Sequence, residues 1–392
     1  MTEASEALRL FFGLVQRQAG GGDAVRVVEG RSAIRAARQS VDSMRAFVRL
    51  PSTGGAFVLA STESSRAFAM GLEGLTLSRP VWRLARRVLG AFAPLGLHRY
   101  LGLPELAVCA DGVGDSRYSV QAGVPGGGQK LIVREWGPTV GEAFWKLGPA
   151  GLPAQLVDAE AEALSWLKKH KECAHLAPAL LASGSEREVS WIKMSAMAGT
   201  RPDNTMGPVV EDILSTLAAT KRQVQRVQDS RWFANLGVRL DAIEAGAPAL
   251  VRDCRLALDA VQRELGDAPL EFWPSHGDFT PWNTRVESGT LRAFDWEFFD
   301  SSRPALFDWF HWILQTGVLV AHQDTRDLQA DLRAATRLLS AEREHTREAL
   351  LQLYLVDVLT REEAIMQHER PSFEQVEWLR SARLDLLTRS AA

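Results

Sequence analysis

The sequence has few cysteines and almost no excess of charge of either sign. Its three cysteines, Cys109, Cys173 and Cys254, are far apart in 392 residues and match neither a disulfide framework nor a zinc-binding spacing. This usage favours a reducing compartment. The 45 basic and 48 acidic side chains leave a formal charge of −3, whereas nucleic-acid-binding proteins usually carry a basic excess or stripe. The composition therefore argues against a disulfide-rich domain and against a general nucleic-acid binder.

The sequence also lacks a pattern for targeting or for crossing a membrane. Its first residues are acidic and lack the basic start of a signal peptide. Arginine or histidine interrupts every apolar stretch well before the ~20 apolar residues that a spanning helix needs. With 46% hydrophobic and 24% charged residues, the composition is typical of a globular protein. We therefore expect a cytoplasmic, globular protein.

The first of three regions, residues 1–107, is arginine-rich and has a mixed pattern. Two short apolar runs at 45–50 and 55–60 predict a hairpin. Between 80 and 92, apolar residues at helical spacing face away from several arginines, which predicts an amphipathic helix. That helix could lie on an anionic membrane surface, but docking of its apolar stripe on the neighbouring lobe explains the same pattern and is favoured. The role of this extension is not specified by the sequence.

The second region, residues 108–197, predicts a small sheet with one helix. Strands are expected from Tyr118 and over 130–134 and 190–194, and the helix over 156–170. The third region, 198–392, is mostly helical and is interrupted by an aromatic-rich segment at 270–299. Its predicted helices cover 208–228, 247–265, 304–322, 325–340, 343–368 and 372–388. A β-rich part followed by a helical part predicts an α+β fold with two lobes.

The interruption contains the strongest chemical pattern of the sequence, His276-Gly-Asp-Phe-Thr-Pro-Trp-Asn283, followed by Asp295 at the end of a short predicted strand. Asp278 and Asn283 are five residues apart in a loop. The pattern predicts two carboxylates and a carboxamide that converge. Phosphoryl transfer needs such a set, since Mg²⁺ prefers oxygen ligands and the acceptor hydroxyl needs an oriented carboxylate. Alternatively, these side chains only cap turns.

This segment resembles the catalytic loop and metal-binding segment of the aminoglycoside phosphotransferase (phosphotransferase enzyme) family, whose fold is like that of protein kinases. The resemblance implies that Asp278 is the catalytic carboxylate and that Asn283 and Asp295 bind Mg²⁺. His276 would pack the loop rather than act as a base. Asp308 stands where the family has an aspartate that braces this loop, although a simple helix-face aspartate is the alternative.

The second region resembles the nucleotide-binding lobe of the same family. The resemblance places Arg134 on the strand that carries a basic residue to the donor phosphates. Glu160, a carboxylate inside the apolar stripe of the next helix, needs a partner, and we expect an ion pair with Arg134; a solvated edge position is the alternative. The resemblance also implies a glycine-rich loop over the nucleotide, with Gly112, Gly114 and Ser116. Met197 would lie in the hinge between the lobes.

Five of the twelve tryptophans lie near the predicted site. Aromatic rings there could stack on a sugar or cage a cation, but core packing explains most of them. Trp282, inside the loop, and Glu297 are the candidates for substrate contact. Four further histidines show no metal spacing and are interpreted as ordinary surface or core residues. They are His170, His175, His311 and His322.

The leading hypothesis is a phosphotransferase that uses ATP or GTP and Mg²⁺ to phosphorylate a hydroxyl of a small molecule such as an aminoglycoside, choline or a sugar. A second hypothesis is a kinase-like regulator that binds nucleotide or metabolite without turnover. A third is a kinase at a membrane surface that acts on an envelope or lipid-linked acceptor. The sequence specifies neither the acceptor nor the oligomeric state.

Overall fold

The computed structural model describes most of the chain, in two compact units. Unit 1 comprises Met1–Asp158 with Leu180–Ala196, and unit 2 comprises Ala159–Ala179 with Met197–Ala392. The residues that the structure describes are 2–20, 25–39, 44–51, 57–62, 68, 104–110, 115–123, 129–138, 141–205, 207–339, 344–368 and 374–390. The predicted helix at 80–92 lies outside these residues.

Unit 1 is built around one sheet in which every pair of neighbouring strands is antiparallel. The order of the described strands across it is β1-β4-β2-β3-β5-β6-β7-β9-β8. The strands are β1 (Arg26–Glu29), β2 (Met44–Pro51), β3 (Phe57–Ser61), β4 (Glu105–Cys109), β5 (Arg117–Ala122), β6 (Leu131–Trp136), β7 (Ala143–Gly148), β8 (Leu180–Glu186) and β9 (Val189–Ser195).

The N-terminal extension is continuous with this sheet. Strand β3 pairs with β5, so that β1–β4 extend the sheet that β5–β9 form. Helix α1 (Glu3–Gln18) begins after Thr2, whose hydroxyl accepts a hydrogen bond from the Ser5 N–H. Its apolar side packs into the core of the sheet, with the Phe11 ring 5.2 Å from Tyr118. A shorter helix, α2 (Arg31–Ala37), packs against β1 and β4.

Several predicted elements of unit 1 are present. The predicted hairpin corresponds to β2 and β3, which pair with Leu50 opposite Val58. Its turn lies outside the described residues. The predicted strand at 190–194 is β9, and the predicted helix at 156–170 is α3 (Leu152–Lys169), whose first residues belong to unit 1 and whose later residues belong to unit 2.

Among the strands of unit 1 that were not predicted, β7 changes the order of elements. We expected α3 to follow the strand of Arg134, but β7 lies between β6 and α3. That part of the expectation is wrong. Five of the six residues of β7 are buried, including Lys146, so β7 lacks the alternation of apolar and polar residues that predicts a half-buried strand.

Unit 2 is mostly helical. Its helices are α4 (Pro208–Thr220), α5 (Arg231–Ile243), α6 (Pro248–Leu265), α7 (Phe307–Leu319), α8 (Thr325–Leu339), α9 (Glu344–His368) and α10 (Glu374–Ser390). A small sheet has the strand order β10 (Gln223–Gln225), β11 (Leu270–Ser275), β14 (Asp300–Pro304). A hairpin of β12 (Thr284–Glu287) and β13 (Thr290–Ala293) completes the aromatic-rich segment.

The single helix predicted over 208–228 is wrong. Helix α4 ends at Thr220, and the chain then forms β10, which pairs with β11. The helix α5 that follows was not predicted. This is a tertiary effect, since β11 offers the next segment a row of backbone hydrogen bonds that outweighs its local helical preference.

The predicted α+β fold class, with a β-rich part and a mostly helical part, is confirmed. Among the residues that the structure describes, no helix combines the length and the apolar character needed to cross a membrane.

Candidate functional site

The loop after β11 positions the central carboxylate, Asp278, in unit 2. The residue before it, Gly277, has a φ of +84°, a conformation that favours glycine. A Cβ atom there would lie 2.2 Å from the carbonyl oxygen of Phe298. The glycine therefore permits both the turn and the close packing that bring Asp278 to the end of β11.

The carboxylate of Asp308, in the first turn of α7, holds the same loop from behind. It accepts hydrogen bonds from the backbone N–H groups of His276 at 2.7 Å and Gly277 at 2.9 Å. Asp308 is 4% exposed, and a buried carboxylate needs donors of this kind. Asp308 thus lies where the resemblance places a bracing residue, and it contacts the backbone of the loop.

His276 links the loop to the segment that carries Asp295. Its Nε2 lies 2.9 Å from the carbonyl oxygen of Phe294, and its Nδ1 accepts the N–H of Asp278 at 3.2 Å. These contacts require the tautomer with hydrogen on Nε2. Burial lowers the pKa of His276, and the ring has no exposed surface. His276 therefore holds two segments together and is shielded from any substrate.

The carboxylate of Asp278 accepts a hydrogen bond at each oxygen. The amide nitrogen of Asn283 donates to Oδ2 at 2.8 Å, and His311 contacts Oδ1 through Nε2 at 2.8 Å. Burial alone would raise the pKa of Asp278, but the hydrogen bond from His311 and nearby cations outweigh it, and the pKa lies below its usual value. About a third of the side chain, 32%, is exposed, so the ionised carboxylate can reach a substrate.

Three carboxylates of unit 2 form a group that fits a divalent cation. One oxygen each from Glu160, Asp295 and Glu297 lie within 4.8 Å of one another. Asp295 adopts a left-handed backbone conformation (φ 66°, ψ 54°), which aspartate tolerates better than most residues. Three such carboxylates repel one another, and Mg²⁺ prefers oxygen ligands. Asn283 turns its amide nitrogen to Asp278, which leaves its amide oxygen for a cation.

Two of the predicted nucleotide-binding residues, Arg134 and Ser116, lie in the described part of unit 1. Arg134 on β6 forms an ion pair of 2.5 Å with Glu142, next to β7. The expected pair of Arg134 with Glu160 stays a prediction. Ser116 is buried and donates its hydroxyl to Glu135 at 3.0 Å, so it packs inside unit 1. Gly112 and Gly114 lie outside the described residues.

The family model for the phosphotransferase enzyme family, APH, matches residues 109–310. This match spans more than half of the chain and includes the whole segment from His276 to Asp308. The chain belongs to the phosphotransferase enzyme family. It is therefore a phosphotransferase whose class of reaction is the phosphorylation of small molecules.

Two solved structures illustrate what this phosphotransferase is similar to. A thermostable mutant of aminoglycoside phosphotransferase APH(4)-Ia, in complex with ADP and hygromycin B, is 14% identical, with a TM-score of 0.46 over 70% of this chain and 94% of that one. Choline kinase LicA from Streptococcus pneumoniae is 14% identical, with a TM-score of 0.47 over 66% of this chain and 89% of that one. None of the curated proteins matches the chain.

The two remaining predicted residues of the phosphotransferase lie in unit 2. Trp282, half-buried in the turn Pro281–Asn283, has the guanidinium of Arg201 5.6 Å from its ring centre. Met197 is the first residue of the second segment of unit 2, Met197–Ala392, and is half-buried. Their contact with substrate and with nucleotide, respectively, stays a prediction.

The sequence analysis missed two residues whose side chains could take part in the chemistry of the site. His311 was interpreted as an ordinary histidine, yet it contacts Asp278. Lys146 was not considered, yet it lies on β7, the strand directly before α3. The signal for Lys146 was a lone lysine in the apolar run Phe144-Trp-Lys-Leu147. The contact of His311 could not be found, because the sequence places it in an apolar helix, 33 residues from Asp278.

Proposed function

We propose that this phosphotransferase transfers the γ-phosphoryl group of ATP or GTP, with Mg²⁺, to a hydroxyl group of a small molecule. The observation that carries the proposal is the carboxylate of Asp278, ionised, one-third exposed and held at both oxygens. A group of this kind can orient an acceptor hydroxyl and take its proton as the oxygen–phosphorus bond forms.

Mg²⁺ would be held by Asp295 and Asn283, with Glu297 next to them. When bound, the cation would neutralise the charge of the nucleotide phosphates. Support comes from the oxygen atoms of Glu160, Asp295 and Glu297, which lie within 4.8 Å of one another. Asp278 has a separate task, because its two oxygens accept hydrogen bonds from Asn283 and His311.

Lys146 is the candidate for contact with the nucleotide phosphates in unit 1. In protein kinases this lysine lies on the strand ahead of the helix that carries its glutamate partner, and β7 with Lys146 precedes α3 with Glu160. Lys146 is 6% exposed, and a lysine ammonium group binds phosphate as a point charge. Arg134, the residue first assigned this role, already pairs with Glu142.

The proposal is tested by a screen of hydroxylated metabolites and aminoglycosides with ATP or GTP, in which ³¹P NMR detects the phosphate monoester that forms. We expect a monoester with at least one compound, and its loss when Mg²⁺ is removed by a chelator. The Asp278→Asn variant is the control for contaminating kinases. Nucleotide binding in a thermal-shift assay without any product would contradict the proposal and favour the regulator hypothesis.

A further inference from the structure

His311 is one of three buried polar residues of α7, together with Asp308 and Gln315. It is 3% exposed. Both ring nitrogens have partners. Nε2 lies 2.8 Å from Oδ1 of Asp278 and 3.3 Å from the side-chain amide of Gln315, and Nδ1 lies 3.0 Å from the hydroxyl of Tyr354 on α9. A buried imidazole is costly without such bonds. The ring therefore connects three segments of unit 2 that are distant in sequence.

The direction of these two hydrogen bonds follows from the chemistry of the partners. The ionised carboxylate of Asp278 can only accept, so Nε2 of His311 carries the hydrogen and donates it to Asp278. In a neutral ring Nδ1 is then an acceptor, and the hydroxyl of Tyr354 donates a hydrogen bond to it. Burial lowers the pKa of His311, which keeps the ring neutral near pH 7.

The consequence for Asp278 is a carboxylate held at two points. His311 donates to one oxygen and Asn283 to the other, both at 2.8 Å. Each carboxylate oxygen can accept two hydrogen bonds, so one position on each oxygen is left for an acceptor hydroxyl. Rotation of the Asp278 side chain would break both bonds. This is the preorganisation that a catalytic base requires.

We propose that His311 is a positioning residue for the transfer reaction, which holds the Asp278 carboxylate in the rotamer that faces the acceptor hydroxyl, and that Tyr354 fixes the tautomer of His311. The inference rests on the proposed function of Asp278. His311 takes no proton from the substrate in this scheme, since its Nε2 already carries one and its Nδ1 is occupied by Tyr354.

The first test compares His311→Ala with His311→Gln, whose side-chain amide can still donate to Asp278. The measured reaction is ATP turnover, with the acceptor from the screen or with water. We expect His311→Ala to lower kcat about 10- to 100-fold with the KM for ATP within about twofold, since nucleotide contacts are unchanged. His311→Gln should recover most of kcat. Equal loss in both variants, or no loss in either, would overturn the proposal.

His175→Gln is the matched control, because His175 is exposed and its backbone carbonyl oxygen, which the substitution keeps, accepts the hydrogen bond from Arg292. Its kcat should equal that of the wild type. Thermal unfolding of all variants separates loss of positioning from loss of the fold.

A second test requires no turnover, so its result does not depend on whether the proposed function holds. The ¹⁵N chemical shifts of the His311 ring in the wild-type protein should be those of a neutral ring with hydrogen on Nε2, and Tyr354→Phe should disturb this tautomer. A ring with hydrogen on Nδ1, or a ring charged at pH 7, would overturn the assignment. Absence of turnover in the wild type would overturn the proposed function alone.

Discussion

The loop after β11 in unit 2 and the sheet of unit 1 differ in how their candidate site residues are held. In the loop, Asn283 donates a hydrogen bond to Asp278, five residues away. Asp308, 32 residues after His276, accepts the N–H groups of His276 and Gly277. In unit 1 the position of a side chain depends on which strand carries it. Arg134 and Lys146 are only twelve residues apart but lie on different strands. The five-residue spacing therefore identifies Asp278 and Asn283 as residues that contact each other. In unit 1, the order of the strands determines which basic residue lies on the strand directly before α3.

Among the variants that compare the two units, the largest effect is expected in unit 2, from a change in the group of three carboxylates, Glu160, Asp295 and Glu297. Asp295→Asn removes a charge that we assign to Mg²⁺ binding, and turnover should fall by about 100-fold or more, with a higher Mg²⁺ concentration needed for half-maximal rate. Steady-state kinetics over a Mg²⁺ titration measures both. Asp267→Asn is the control, because the side chain of Asp267 is 81% exposed. An unchanged Mg²⁺ dependence in Asp295→Asn would contradict the assignment.

The next effect tests the packing of the loop. Gly277 and Gly289 have similar φ angles, +84° and +82°, but a Cβ would meet the Phe298 carbonyl oxygen at 2.2 Å only at Gly277. Gly289→Ala should cost about 1–2 kcal/mol for the left-handed backbone alone. Gly277→Ala should cost about 1–3 kcal/mol more through overcrowding. Urea unfolding measures the loss of unfolding free energy in both variants. Equal losses would mean that the loop moves to accommodate the Cβ atom at position 277.

A matched pair of variants tests the basic residues of unit 1. Lys146→Met keeps the apolar stem but removes the charge, and the KM for ATP should rise about 10- to 100-fold, which is what the loss of a hydrogen bond to a charged group costs. Arg134→Met should change this KM by less than about threefold, because Arg134 pairs with Glu142. Steady-state kinetics over a range of ATP concentrations measures both KM values. The reverse order of effects would restore Arg134 to the role first assigned to it.

These variants bear on what sequence could and could not predict. The pattern from His276 to Asn283 predicts a loop whose members contact one another, since five residues of turn leave little choice of geometry. Lys146 was missed because five of the six residues of β7 are buried and show no alternation. His311 was missed because its contact with Asp278 depends on how α7 packs against the loop, which no local pattern encodes. The match to the family covers residues 109–310. The resemblance to the family therefore gave no information on β1–β3 of the extension.

The smallest effect is a change of stability with pH, which we expect to be larger in unit 2 than in unit 1. Burial lowers the pKa values of His276 and His311, both in unit 2. At a pH above about 6.5, the pKa of histidine in the unfolded chain, both rings are neutral in the folded and the unfolded protein. The histidines then do not reduce the free energy of unfolding. As the pH falls below that value, the unfolded chain binds protons that the folded ring does not, and stability falls by up to about 1.4 kcal/mol per pH unit for each ring.

Hydrogen exchange at pH 7.5 and pH 5.5, corrected for the intrinsic exchange rates, measures how much the stability of each unit changes with pH. We expect amides in α7 to lose more protection than those in β5–β7. Equal loss in both units would contradict the link to the two histidines.

The central claim is that Asp278 acts on the acceptor and not on the nucleotide. Its most direct test is to measure turnover and ATP affinity of Asp278→Asn in one preparation, since asparagine keeps the shape of the side chain but cannot take a proton. We predict that turnover falls about 100- to 10,000-fold while the Kd for ATP with Mg²⁺ stays within about threefold. Turnover equal to that of the wild type would contradict the account, as would loss of ATP binding in step with loss of turnover.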